Sequence, residues 1–137
     1  MILYTTDVSA VTEADLEGPF FVGWPDPPDP AAHLRLLRGS DHVVLAVHDG
    51  DNRIVGFATA ITDGVLAAYI PLLEVVPDYQ GRGIGSELVR RLVEAIGPIY
   101  MVDAMCDPDL QPFYQHLGLA PATGVMFRNH SRQRGRS

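Results

Sequence analysis

Apolar positions along the chain follow two different periods. Ile2–Thr6, Val43–His48, Arg53–Thr62, Val65–Val76 and Ile99–Ala104 are short apolar or alternating runs bounded by turn residues, a pattern that predicts strands. Asp49-Gly50-Asp51-Asn52 and Asp63-Gly64 predict tight turns that fold three of these runs into a meander. A longer period marks the helices. In Ile84–Ile96 the residues Ile84, Leu88, Leu92 and Ala95 form one stripe, and Ala31, Leu34 and Leu37 do the same in Pro30–Arg38, which closes on Gly39. A helix over Glu13–Glu17 is predicted from Ser9 or Thr12 as cap and acids in the first turn. Asp109–Leu117, ended by Gly118, predicts another helix, and Val125–Arg128 a last strand. A meander followed by a helical crossover predicts one mixed α/β domain over residues 1–128.

Composition narrows the function classes. The 137 residues fit one domain, and 47% hydrophobic residues suffice for a core. All ten basic residues are Arg, so a Schiff-base lysine, a phosphate-loop lysine and a Ser-Lys dyad are excluded. The net charge is −7, and four of the Arg lie in 128–137, so the body before them is more acidic still. That balance argues against nucleic acid as a partner. Residues 129–137 are polar and aperiodic, and are expected to form a flexible basic tail. No apolar stretch reaches the ~20 residues of a membrane span, and no basic, cleavable leader precedes Ile2, so a cytoplasmic protein without membrane contact is expected. Cys106 is the one cysteine, and the five His show neither i,i+4 pairing nor a nearby Cys, so no metal site is expected.

The segment with chemistry joins the longest strand to the longest helix: Val75-Val76-Pro77-Asp78-Tyr79-Gln80-Gly81-Arg82-Gly83-Ile84-Gly85-Ser86. Pro77 has no N–H for a sheet ladder, so the strand ends there. The three glycines let backbone N–H groups approach a ligand closely, and the helix adds its positive N-terminal end, the ordinary means of holding phosphate. A dinucleotide loop would need Gly at 86, where Ser stands, and a Walker loop would need a Lys.

Gln80-Gly81-Arg82-Gly83-Ile84-Gly85 resembles the acetyl-CoA loop, Gln/Arg-x-x-Gly-x-Gly/Ala, of the general-control-related N-acetyltransferase (GNAT) superfamily. Pro112-Phe113-Tyr114-Gln115-His116-Leu117-Gly118-Leu119 resembles the family's Phe-Tyr-x-x-x-Gly-Phe element, with Leu119 in place of the usual Phe. The resemblance covers Ile2 to Arg128 and implies a central, mostly antiparallel mixed sheet of six to seven strands with about four helices. It also implies that the strand ending at Val76 splays from Ile99–Ala104 and admits pantetheine between them. Backbone groups of Val75 and Val76 would then bind the pantetheine amides, and an N–H there would polarise the thioester carbonyl. The amides of Gln80, Gly81, Arg82, Gly83, Ile84, Gly85 and Ser86 would hold the pyrophosphate, with Arg82 adding charge or lying solvated on the surface.

Tyr114 is the expected acid, because a leaving thiolate needs a proton and a phenol suits it. Packing beside Phe113 is the structural alternative. Glu74, the one carboxylate in Val65–Val76, is the candidate base, or else a solvated or paired group. Tyr69 is the alternative acceptor-side group, acting through a water. Trp24 and Phe21 in the proline-rich stretch Phe20–Pro30 are expected to wall the acceptor site, with Asp26 and Asp29 attracting a cation; the alternative is that Trp24 plugs the core. The reading is an N-acetyltransferase acting from acetyl-CoA, without metal, on a small cationic primary amine, as a monomer or a homodimer. A non-catalytic acyl-CoA sensor, another acyl donor, or a protein amine as acceptor are the alternatives.

Overall fold

The computed structural model describes residues 1–135. Five strands form one sheet in chain order: β1 (Ile2–Thr5), β2 (His42–His48), β3 (Arg53–Thr62), β4 (Ala67–Val75) and β5 (Met101–Ala104). Neighbours from β1 to β4 are antiparallel, and β5 lies parallel to β4. The parallel pairing follows from the crossover helix α2 (Ile84–Ile96), since two parallel strands cannot be joined by a hairpin.

Each face of the sheet carries its own core. On one, Ile84, Leu88 and Leu92 of α2 pack on Val44, Val55, Ala58 and Ile70. On the other, Leu34 and Leu37 of helix α1 (Pro30–Gly39) pack with Leu16, Phe21, Leu45 and Phe57. The central strand β3 is therefore buried on both faces from Ile54 to Ala60. Local chemistry fixes α1: the Asp29 side chain accepts the Ala32 N–H at 2.9 Å, Pro30 opens the helix, and the Ser40 N–H and hydroxyl both donate to the Leu36 carbonyl.

The mixed α/β class holds, with five strands and three helices among the described residues in place of the six to seven and four expected. The helix expected over Glu13–Glu17 is a single 3-10 turn, Glu13–Leu16. A box between Thr12 and Asp15 caps it, and it buries Leu16. Pro108 and Pro112 divide the next expected helix into a 3-10 turn, Pro108–Leu110, and a short α3, Gln111–His116. Val125–Arg128 is not a strand: it pairs with none of the five strands among the described residues. The tail expected to be flexible is anchored as far as Gly135: Gln133 Oε1 accepts the Asp26 N–H at 2.7 Å, Arg134 pairs with Asp26, and Arg35 donates to the Gly135 carbonyl at 2.7 Å. The last two residues of that expected tail lie outside the described residues.

Candidate active site

The sheet opens along one edge of β4. Its parallel ladder with β5 runs from Ala67–Met101 to Ile70–Ala104 and stops there, where a bulge shifts the register of β4 against β3 between Thr59 and Ile61 and reverses the direction of the backbone groups that follow. β4 continues to Val75 beside β3 alone. Backbone groups alternate in direction along a strand, and the Val76 N–H is bonded to the Val55 carbonyl at 2.8 Å. Leu73 and Val75 therefore turn their backbone groups to the open edge. This corrects half of the expectation: Val75 faces the gap, Val76 does not. Leu73, not singled out in the sequence, faces it too; the signal was the spacing of two from Val75.

The loop after β4 is held from below. Gln80 Nε2 donates to the Val75 carbonyl at 2.9 Å, and the Gln80 N–H donates to Pro77 O at 3.2 Å. Gln80 thus ties the loop to the strand, and its amide is not available to a ligand. From Gly81 to Ser86 the N–H groups have no acceptor among the described residues. Gly81 and Gly83 sit at φ +75° and +81°, with nothing within 4 Å of where a Cβ would stand. That left-handed geometry turns successive N–H groups into a concave cradle at the start of α2. The nearest acid on the helix, Glu87, is paired with Arg90 and with Arg91 (2.8 Å), which leaves the positive end of α2 uncompensated. Free N–H groups at a positive helix end are the chemistry that can hold a phosphate group. Arg82 lies back over the Tyr79 ring at 4.8 Å and donates to the Asp78 carbonyl at 3.0 Å, away from the cradle.

The two sequence motifs touch. A Cβ on Gly85 would stand 3.5 Å from Phe113, so the missing side chain lets α3 close on the loop. Phe113 meets Tyr114 edge to face at 5.0 Å. Tyr114 lines a cavity of about 860 Å³ with Tyr69, Asp103 and Cys106. Burial raises the Tyr114 phenol above its ordinary value, and Cys106 adds to that, so the hydroxyl stays protonated. Tyr69 and Tyr114 are thus brought together.

Glu74 does not line that cavity; it lies farther along the same strand, on the α1 side of β4. Its Oε1 accepts the Phe21 N–H at 2.8 Å. Burial raises its carboxyl, and that hydrogen bond partly offsets the rise. Phe21 is 3% exposed and sits at φ +57°, strained for a bulky residue. Its ring lies 5.0 Å from His33 and 6.0 Å from Phe57. Phe21 is therefore core and not an acceptor wall. Trp24 packs against Phe21 with tilted rings, 5.0 Å between centroids, and lines a second cavity of about 440 Å³ with Met126, Arg128 and Gln133, apart from Tyr114. Asp26 and Asp29 are occupied by Arg134 and by the cap of α1. The aromatic residues and prolines of this loop read as a wall from the sequence because the Glu74 anchor, 53 residues away, carries no local signal.

Comparison with known proteins agrees with this geometry. A model of the acetyltransferase (GNAT) family matches residues 10–119. A crystal structure of a candidate acetyltransferase from Deinococcus radiodurans is 44% identical and superposes with a TM-score of 0.95, over 99% of this chain and 94% of its own. The N-α-acetyltransferase RimI of Mycobacterium tuberculosis is 33% identical over 112 residues, 74% of this chain and 70% of RimI. The N-acetyltransferase ycf52 of Pyropia yezoensis is 29% identical over 100 residues, 71% of this chain and 58% of that protein. The chain spans about half the length of the first curated relatives it matches. With its open β4 edge, glycine cradle and α3 tyrosine in the matched region, the chain belongs to the GNAT acetyltransferase family.

Proposed function

We propose that the protein transfers the acetyl group of acetyl-CoA to a primary amine by direct attack within a ternary complex. The observation that carries this is the continuous run from the open β4 edge into the Gly81–Ser86 cradle: one surface offers a strand partner for pantetheine amides and N–H groups for a pyrophosphate. The Val75 N–H, turned to the gap, is the donor for the thioester oxygen as charge develops on it. The amine nitrogen bonds to the carbonyl carbon, the carbon–sulfur bond breaks, and sulfur leaves with the electron pair. Tyr114 gives that thiolate its proton. Before the attack Glu74 takes a proton from the acceptor ammonium through Oε2, since Oε1 is engaged by Phe21, and the proton that the nitrogen loses after bonding to carbon restores Tyr114.

The proposed acceptor is a small cationic amine, drawn by the acidic body and by exposed Asp103 beside Tyr69. A protein N-terminal amine is the second reading, favoured by the likeness to RimI. A thiol-release assay with acetyl-CoA against small amines, aminoglycosides and peptides tests both. Acceptor-dependent release is expected. Thermal stabilisation by acetyl-CoA with no release on any acceptor would make the protein an acyl-CoA-binding module instead.

A further inference from the structure

The sheet is covered unevenly on its α1 side. Phe57 and Leu72 lie in the core of that face, and no apolar β3 residue after Phe57 joins it. Past that limit the strand register aligns three side chains: Ile61 stands opposite Tyr69, and Tyr69 opposite Asp103. Residues paired across strands share a face. Their neighbours fix which face it is. Ala60, Ile70, Val102 and Ala104 all pack into the core beneath α2, so Ile61, Tyr69, Asp103 and, two residues before it, Met101 point to the opposite side. Ile61, Tyr69 and Met101 are 54, 37 and 38% exposed, three apolar side chains bordering one exposed carboxylate. The Asp103 side chain makes no ion pair or hydrogen bond among the described residues, and neither β4 nor β5 carries an Arg.

We infer that this face selects the acceptor: a primary amine whose apolar body lies on Ile61, Tyr69 and Met101 while Asp103 draws its ammonium. The parallel ladder ends at Ile70 and Ala104, one residue past Tyr69 and Asp103, so the face runs up to the point where β4 and β5 part. Tyr114 lines one cavity together with Tyr69 and Asp103. An amine held at Asp103 therefore stands at the mouth of the gap, and its body points back along β5 toward Met101. Two residues of strand make that reach about 7 Å, comparable to a hexyl chain. Beyond Met101 the floor continues as Leu66, whose carbonyl accepts the Met101 N–H at 2.9 Å and whose side chain is exposed. An alkyl body removes this floor from water, whereas a hydroxyl-rich amine gains nothing from it and loses hydration of its own. The inference rests on the proposed acetyl transfer and adds what the acceptor must carry besides its charge.

Thiol release from acetyl-CoA is measured with propylamine, butylamine, hexylamine and an aminoglycoside, and binding of the same amines in the presence of CoA is measured by calorimetry. On a half-open apolar floor, KM and Kd should fall roughly 2–4-fold per added methylene. Hexylamine should exceed the aminoglycoside in kcat/KM. The double variant Ile61→Ser/Met101→Ser alters exposed side chains, so it should fold, as circular dichroism verifies, and lose most of the chain-length dependence. Asp103→Asn should raise the KM of every amine by roughly 2–5-fold, with the chain-length dependence kept and stabilisation by acetyl-CoA unchanged. Equal KM for propylamine and hexylamine, a preference for the aminoglycoside, or a chain-length dependence that survives the double variant would each overturn the inference with acetyl transfer intact. An unchanged KM in Asp103→Asn would overturn the anchor. Absence of thiol release on every amine would instead overturn the transfer, and calorimetry would then decide the floor alone: a Kd that falls with chain length supports it, and a flat series overturns it.

Discussion

The segment after β4 and the segment before α1 are both loops against the same strand, yet they are built in opposite ways. The Gly81–Ser86 loop has no side chain filling its concave face, and its shape comes from two left-handed glycines and a helix end. The Phe20–Pro30 loop is filled with rings: Phe20, Phe21, His33 and Phe57 pack within about 6 Å of one another. A surface that leaves backbone N–H groups free is suited to hold a ligand, whereas a surface that buries its aromatics is suited to hold a fold. Residue type alone suggested binding in both places. Whether polar groups were left unsatisfied is what distinguishes them.

The largest expected effect tests the empty side. Gly83→Val places a β-branched residue at φ +81°, where the space is open but the backbone is wrong, at roughly 1–2 kcal/mol of strain. The fold should survive. Acetyl-CoA at about 100 times its dissociation constant should stabilise the wild type by ~2.7 kcal/mol, and the variant not at all. An equal rise in Tm in both proteins would remove the cradle from the cofactor site. Next in size is Tyr114→Phe, which keeps the ring against Phe113 and removes the acid. Turnover should fall by roughly 10²–10⁴-fold with acetyl-CoA affinity unchanged; an unchanged kcat on the best acceptor would make Tyr114 a packing residue.

These expectations show what the sequence makes legible. Glycines at 81, 83 and 85 and the Phe113-Tyr114 pair are local signals, because their spacing along the chain is the spacing that does the work. The direction of a backbone amide is less visible. Val75 and Val76 look alike in sequence, and the register with β3 alone turns one to the gap and the other to Val55. Long-range partners are not visible at all. Glu74 meets Phe21, and Asp26 meets Arg134, across separations set by the fold. The unformed strand at Val125–Arg128 is a case in which local pattern was present and pairing with another strand was not.

Glu74 touches both regions, lying on the strand of the first and anchoring the second, so its variants sharpen the contrast. Gln at 74 still offers an oxygen to the Phe21 N–H, so Glu74→Gln should fold normally while losing the base. The wild-type rate should fall as pH drops through the raised carboxyl pKa. In Glu74→Gln that limb should move to higher pH, toward the acceptor amine's own pKa, with a loss at neutral pH smaller than for Tyr114→Phe because water takes the proton from the free amine fraction. An unaltered profile would pass the role to the Tyr69 side. Glu74→Leu, by contrast, strands the Phe21 N–H and should cost about 1–3 kcal/mol of stability.

The smallest expected effect on activity lies deepest in the filled side. His33 is 1% exposed, its Nε2 has no hydrogen-bond partner among the described residues, and rings surround it. Burial lowers its pKa from 6.5 to about 4, because the imidazolium is poorly solvated there. The sign follows from proton counts. Between those two values the unfolded chain binds a proton at this site and the folded chain does not, so stability falls as pH drops from about 6.5 toward 4. Above that window the neutral ring contributes no pH dependence, and below it the slope from this group ends. The span corresponds to roughly 3 kcal/mol at about 1.4 kcal/mol per pKa unit. His33→Leu removes the titration and the orphaned nitrogen together, so its unfolding free energy should lose that part of the acid slope and stay close to wild type at neutral pH. Denaturant unfolding of both proteins at pH 7, 6, 5 and 4.5 measures the difference. Parallel curves would mean that His33 is hydrated or partnered in solution, and that the filled side is looser than its rings suggest.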